Sequence, residues 1–179
     1  MLMSEPRSWS GREYGETARL GLLVPLGALF PLVIPIAFAR GGRALDRRLG
    51  LRPLGAEGLT RPLGWFLAVG GLALGLWTIV VQATVGRGTP IPLVPTRQLL
   101  EHGPYSRTRN PMALGTVVYY LGLAIARGSL GNLALAAGFG AALATYIRLV
   151  EEKELERRFG GAYLEYRSRV PFLLPRLRA

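Results

Sequence analysis

Gly103-Pro104-Tyr105-Ser106-Arg107-Thr108-Arg109-Asn110-Pro111-Met112-Ala113-Leu114-Gly115 gathers a turn, fixed charge and a helix start within thirteen residues. Gly103-Pro104 reads as a turn, and Asn110-Pro111 as an N-cap followed by proline at the first helical position, where no N–H is needed. Residues 112–126 are apolar, so the helix leaves water almost as soon as it begins. Arg107 and Arg109 therefore stand where an unpaired charge is costly. The first-turn N–H groups and both guanidinium groups face this helix mouth, and a carboxylate or phosphate there would satisfy both. A capped helix whose arginines grip lipid headgroups accounts for the same residues equally well.

Outward from this stretch, the composition bounds the answer. The chain has 179 residues, the size of one domain, and half of them are hydrophobic. Yet 22 Lys and Arg against 11 Asp and Glu give a net charge of +11. Long uncharged runs separated by basic connectors point to a membrane protein, not to a nucleic-acid binder, which would spread its arginines over one folded face. With no cysteine, disulfides, thiolate metal sites and cysteine nucleophiles are excluded. A single histidine, His102, excludes a histidine-based metal cluster. Residues 1–16 are polar and mixed in charge, unlike a cleavable signal peptide.

Four apolar runs follow in order. The first, 19–39, contains Pro25, Pro31 and Pro35, each of which removes a helical hydrogen bond and bends the span. Residues 40–61 turn polar and read as a connector at the membrane surface. The second run, 63–85, suits a bilayer core at about 1.5 Å per residue. Within it Gly71-Leu-Ala-Leu-Gly75 is a GxxxG pattern, suited to close helix approach inside the chain or between copies. Residues 86–95 carry three prolines and read as a stiff extended loop, and 96–102 as a short helical turn. Runs 112–126 and 130–150, joined by Arg127-Gly-Ser-Leu, form an antiparallel hairpin. On the second of these, Ala134, Gly138, Ala141, Ala142 and Thr145 make a small-residue face suited to close packing.

From Arg148 the chain becomes polar, with Leu155, Phe159, Tyr163, Tyr166 and Val170 at helical spacing and Gly160-Gly161 interrupting. Two short helices that fold back on the membrane part are expected, ending at Pro171 and Pro175. The expected fold is thus an all-α polytopic membrane protein of about four transmembrane helices, including the C-terminal hairpin, with a cytoplasmic helical tail. It forms one domain over 1–179, with spans and connector in 1–85 and the functional region in 86–175. With the N-terminus inside, 15 basic residues fall on the cytoplasmic side and 7 outside. The six arginines between 40 and 62 argue against this orientation.

In this topology the 103–111 stretch and the tail share one membrane face. Arg148 lies three residues from Glu151 and four from Glu152, on one helical surface. An intrahelical ion pair, contributing about 0.3–0.5 kcal/mol, explains that spacing. So does a division of tasks in which Arg148 holds a cofactor carboxylate and a glutamate accepts bonds from an amino group or ribose hydroxyls.

Taken together, residues 103–111, Arg148-Leu-Val-Glu-Glu-Lys-Glu-Leu155, Phe159-Gly-Gly-Ala-Tyr163-Leu-Glu-Tyr166 and Val170-Pro171 resemble the integral-membrane methyltransferases. These include isoprenylcysteine carboxyl methyltransferase and the phospholipid N-methyltransferases. The resemblance implies S-adenosylmethionine bound at the cytoplasmic face and a lipophilic methyl acceptor entering from the bilayer, with membrane lipids as surroundings and no nucleic acid. It implies a cofactor site made by His102, Gly103, Pro104, Tyr105, Arg109, Pro111, Arg148, Glu151 and Glu152, with Arg109, Asn110, Glu151 and Glu152 nearest the chemistry. Where the prenylcysteine enzymes carry Arg-His-Pro, this chain has Arg109-Asn110-Pro111, and asparagine exchanges no proton near neutral pH. Ala113 replaces the usual tyrosine.

Methyl transfer from a sulfonium is an in-line displacement, so alignment supplies most of the catalysis and neither metal nor covalent intermediate is required. An ammonium acceptor must first lose a proton, which Glu151, Glu152 or His102 would take; a carboxylate need not. Two other classes are compatible with the residues: an NADPH-dependent sterol-type reductase, although its His-Pro-Asn-Tyr is absent, and a non-catalytic membrane protein whose basic tail binds anionic headgroups.

Overall fold

A computed structural model describes residues 29–55, 57–85 and 98–175. The described residues are helical with no strand: α1 (Ile34–Leu49), α2 (Glu57–Thr84), α3 (Pro111–Ala126), α4 (Leu130–Tyr146), α5 (Glu152–Phe159) and α6 (Gly161–Arg169). π-helical turns, Leu29–Val33 and Ile147–Glu151, lead into α1 and join α4 to α5. The chain runs up and down through α1 to α4. The α3–α4 hairpin is central, with α2 packed on α3 and α1 on α4.

Small residues decide how close these helices come. Gly64, Ala68, Gly71 and Gly75 on α2 meet Gly115, Tyr119, Gly122 and Ala126 on α3, both sets spaced four, three and four. A Cβ at Gly115 would lie 2.7 Å from the Gly71 carbonyl oxygen and 2.8 Å from the Gly75 nitrogen. Neither helix has room for a side chain there, so the two backbones touch. Of the GxxxG pair, Gly71 is thus the one that this packing within the chain requires to lack a side chain; the Gly75 backbone lies against Gly115, but a Cβ on Gly75 would meet nothing within 4 Å. Gly42 and Gly131 allow the same close approach where α1 crosses α4. By contrast Ala134, Gly138, Ala141, Ala142 and Thr145 are all exposed on α4, and a Cβ at Gly138 would meet nothing within 4 Å.

Polar side chains close the ends. Asp46 of α1 accepts from the Gly131 N–H (2.7 Å) and the Ser129 hydroxyl, while Ser129 accepts from the Asn132 N–H (3.0 Å). Two acceptors from different helices therefore cap the start of α4. Pro35 supplies no N–H to the turn before it. The Phe30 and Pro31 carbonyls there accept from the Tyr120 and Tyr119 hydroxyls, at 2.7 and 2.8 Å.

Two helical stretches, Gly58–Thr84 and Leu130–Phe159, are long and apolar enough to cross a bilayer, against the four expected. α3 is apolar but has only 16 residues, and residues 19–28 of the expected first span, 19–39, lie outside those described. The apolar surface faces outward: Phe66 is 76% exposed and Val69 64%. In a water-soluble protein of this size such residues would be buried. The basic connector also differs from expectation. α1 continues to Leu49, placing Arg40, Arg43, Arg47 and Arg48 on a helix, and only at Gly50, with φ 61°, does the chain turn away. Of the expected helical turn over 96–102, residues 98–102 are described and not helical, and a helical turn follows at Gly103–Ser106; residues 86–97 lie outside those described.

Candidate functional site

At the end of the bundle where α2 finishes and α3 starts, residues 108–110 clamp the tail. Arg109 makes five hydrogen bonds to it. Its Nε and Nη2 donate to Glu152 Oε1 at 3.0 and 2.7 Å, its Nη1 to the Arg167 and Val170 carbonyls at 2.9 and 2.7 Å, and its backbone N–H to the Pro171 carbonyl at 2.9 Å. The pair is nearly dry, with side chains 10% and 8% exposed. Buried charges survive only when paired and hydrogen-bonded, and this geometry meets both conditions.

Two sequence expectations change here. Asn110 precedes α3 but makes no side-chain cap; its Nδ2 donates to the Phe172 carbonyl at 2.8 Å, which Thr108 Oγ1 also reaches at 3.2 Å. Neither does Arg148 pair with Glu151 or Glu152. Glu152 is taken by Arg109, and the Arg148 guanidinium instead lies over the Phe172 ring, 4.4 Å from its centroid. Each guanidinium nitrogen of Arg109 is already bonded within the chain.

Behind the clamp the aromatic residues form a small core. Tyr163, Tyr166 and Val170 pack with Leu99, Leu155 and Phe159. The Tyr166 hydroxyl donates to the Tyr105 carbonyl at 2.8 Å, and Gln82 of α2 donates to the Tyr105 hydroxyl at 2.7 Å. Burial pushes the Tyr105, Tyr163 and Tyr166 hydroxyls well above the ordinary tyrosine range, so all three stay neutral at physiological pH. The Tyr163 hydroxyl has no hydrogen-bond partner among the described residues, and the nearby Glu152 charge raises it further.

In front of the clamp is an open cavity of about 380 Å³ lined by Arg109, Arg148, Glu152, Lys153, Glu156, Arg167 and Phe172. Arg109 and Glu152 neutralise one another at its base, and Arg167 approaches Glu156 at 3.8 Å. Among the described residues Arg148 and Lys153 have no carboxylate partner, so the cavity keeps a net positive charge.

The structure therefore brings Arg109, Arg148 and Glu152 together, although 109 and 148 are far apart in sequence. Pro104, Tyr105 and Pro111 are buried in support of the clamp. Glu151 does not line the cavity; it lies on the Tyr105 side of the helix, near enough for its charge to act on that hydroxyl. His102 and Gly103 are exposed and away from the cavity, Gly103 with φ 62°, the left-handed conformation that suits glycine. Sequence reasoning missed Lys153, Glu156, Arg167 and Phe172. Phe172 directly follows Val170-Pro171, and that proximity was the available signal.

A family model described as phospholipid methyltransferase matches residues 59–162, more than half of the chain. No curated protein and no solved structure matches it significantly. The matched stretch takes in α2 from residue 59, residues 108–110 of the clamp, the α3–α4 hairpin and the π-turn that carries Arg148, and ends before the clamp's partners at 167–172.

Proposed function

From the premise that this chain belongs to the phospholipid methyltransferase family and is a membrane methyltransferase, we propose that it transfers a methyl group from S-adenosylmethionine to a lipophilic acceptor, with the donor held in the cavity beside Arg148. One observation carries the reading: a guanidinium with no carboxylate partner among the described residues faces a cavity of about 380 Å³, within the roughly 300–1,000 Å³ of small-molecule sites.

The residues present fit such a donor. Arg148, backed by the Phe172 ring, offers its N–H fork to a carboxylate. Lys153 adds positive charge at the same wall, and Glu156 offers acceptor oxygens for an ammonium or ribose hydroxyls. When bound, the sulfonium supplies an electrophilic methyl group that leaves by displacement, with no metal needed. The chain's own task is placement. Arg109, through Glu152 and the tail carbonyls, fixes α5 and the 167–172 segment so that the cavity wall holds its shape. The acceptor would approach from the apolar surface of α2 and α4 and meet the donor at the water–lipid boundary. Glu151, half-buried and outside the cavity, is the carboxylate available to take a proton from an ammonium acceptor. The excess of basic residues supports a cytoplasmic location for this end of the bundle, against the six arginines between 40 and 62 at the other end.

The test is thermal unfolding of the purified protein titrated in parallel with S-adenosylhomocysteine and NADPH. Stabilisation by S-adenosylhomocysteine that is lost in Arg148→Ala and partly kept in Arg148→Lys is the expected result. Stabilisation by NADPH alone would overturn the reading in favour of a reductase. No response to either, from protein that unfolds cooperatively, would leave a lipid-binding tail as the better account.

A further inference from the structure

We propose that the outward face of α1 is a docking surface for the anionic headgroups of phospholipids, at the end of the bundle opposite the Arg109–Arg148 cavity. At about 100° per residue, Ile36, Arg40, Arg43 and Arg47 fall along one line of this helix. All four are exposed, whereas Pro35, Ala39 and Gly42 on the other side are buried against the bundle. The exposed face changes character along its length. Leu32, Val33 and Ile36 are 59%, 53% and 50% exposed, and the arginines begin one turn later.

That order identifies the partner. Apolar residues exposed below the arginines belong in hydrocarbon, so the arginines stand at headgroup level, where a soluble acidic protein or a nucleic acid would not meet the apolar part. From Arg40 to Arg47 the helix rises about 10 Å, enough to traverse a headgroup layer of roughly 5–8 Å. Arg48, Arg52 and Arg61 lie at the same end and are exposed too. None of these six arginines forms an ion pair among the described residues. The chain's single aspartate, Asp46, is turned inward to Ser129 and Gly131. The described side chains supply these arginines with no neutralising charge, and phosphodiester groups are the abundant anions at that level.

The experiment uses the full chain with Trp9, Trp65 and Trp77 changed to Phe and with Ile36→Trp, a half-exposed position on this same face of α1 one turn before Arg40. It is placed in nanodiscs of equimolar phosphatidylcholine and phosphatidylglycerol, with brominated acyl chains on one lipid or the other. Brominated phosphatidylglycerol should quench the tryptophan introduced at position 36 about twofold more than brominated phosphatidylcholine. The triple variant Arg40→Gln, Arg43→Gln, Arg47→Gln should bring that ratio close to unity, while the corresponding lysine triple and Arg157→Gln at the other end keep it. Equal quenching in the parent, or a preference that survives the glutamine triple, overturns the proposal. So does loss of the preference on adding inorganic phosphate at equal phosphorus, which would mean that the surface reads free phosphate and not lipid.

Discussion

Arg109 is a cation whose value lies in what it ties together. Replacing it with alanine leaves Glu152 buried without its partner and frees the Arg167 and Val170 carbonyls. A destabilisation of about 3–5 kcal/mol is expected, read as a fall in the denaturation midpoint, with much of it recovered when Glu152→Gln is added. Arg148→Ala should leave the midpoint nearly unchanged and remove ligand stabilisation only. The buried tyrosines add a pH dependence. Burial raises Tyr105, Tyr163 and Tyr166 in the folded state above their value of about 10 in the unfolded chain. Below that value they add no pH dependence. Above it the unfolded state releases protons that the folded state keeps, so stability falls as pH rises further. Unfolding followed from pH 8 to 12 should show that fall, and Tyr166→Phe should make it shallower.

Among the elements, the α2–α3 pair is the most sensitive to added volume. Gly71→Leu would drive a side chain into the Tyr119 backbone and should cost about 3 kcal/mol or prevent folding, whereas Gly70→Leu, on the open face, should be tolerated. The cap of α4 is gentler: Ser129→Ala should cost about 1 kcal/mol, measurable by the same denaturation midpoint. This scale also shows what was legible beforehand. Apolar length revealed α2 and the hairpin because burial in hydrocarbon demands it, and Gly71 and Gly75 marked the close contact. Asn110 misled because an N-cap motif describes local bonding, whereas here the distant Phe172 carbonyl wins its amide. Arg148 misled likewise, since helical spacing cannot report that Glu152 has a better partner 43 residues away. The lining residues Lys153, Glu156 and Arg167 carried no distinguishing pattern among the many charges of the tail.

For the whole molecule, the two ends of the bundle differ in composition. One end holds the clamp and the cavity; the other holds the arginines of α1, the 50–55 turn and the α3–α4 connection, joined where the Leu54 N–H donates to the Gly128 carbonyl at 2.9 Å. A chain without cysteine makes their placement easy to test. Single cysteines at Arg107 and Arg52, both exposed, should react with a membrane-impermeant maleimide from opposite sides of sealed vesicles, with position 107 on the cytoplasmic side. Labelling of both from one side would refute the spanning arrangement.

The bonds from Arg109 have one more consequence, and it concerns biosynthesis. Glu152, Arg167, Val170 and Pro171 leave the ribosome well after Arg109 has reached the membrane edge. Until they arrive, the guanidinium must be served by water or by lipid phosphate. A nascent chain arrested before residue 152 would therefore hold α1 to α4 and yet stay unlatched.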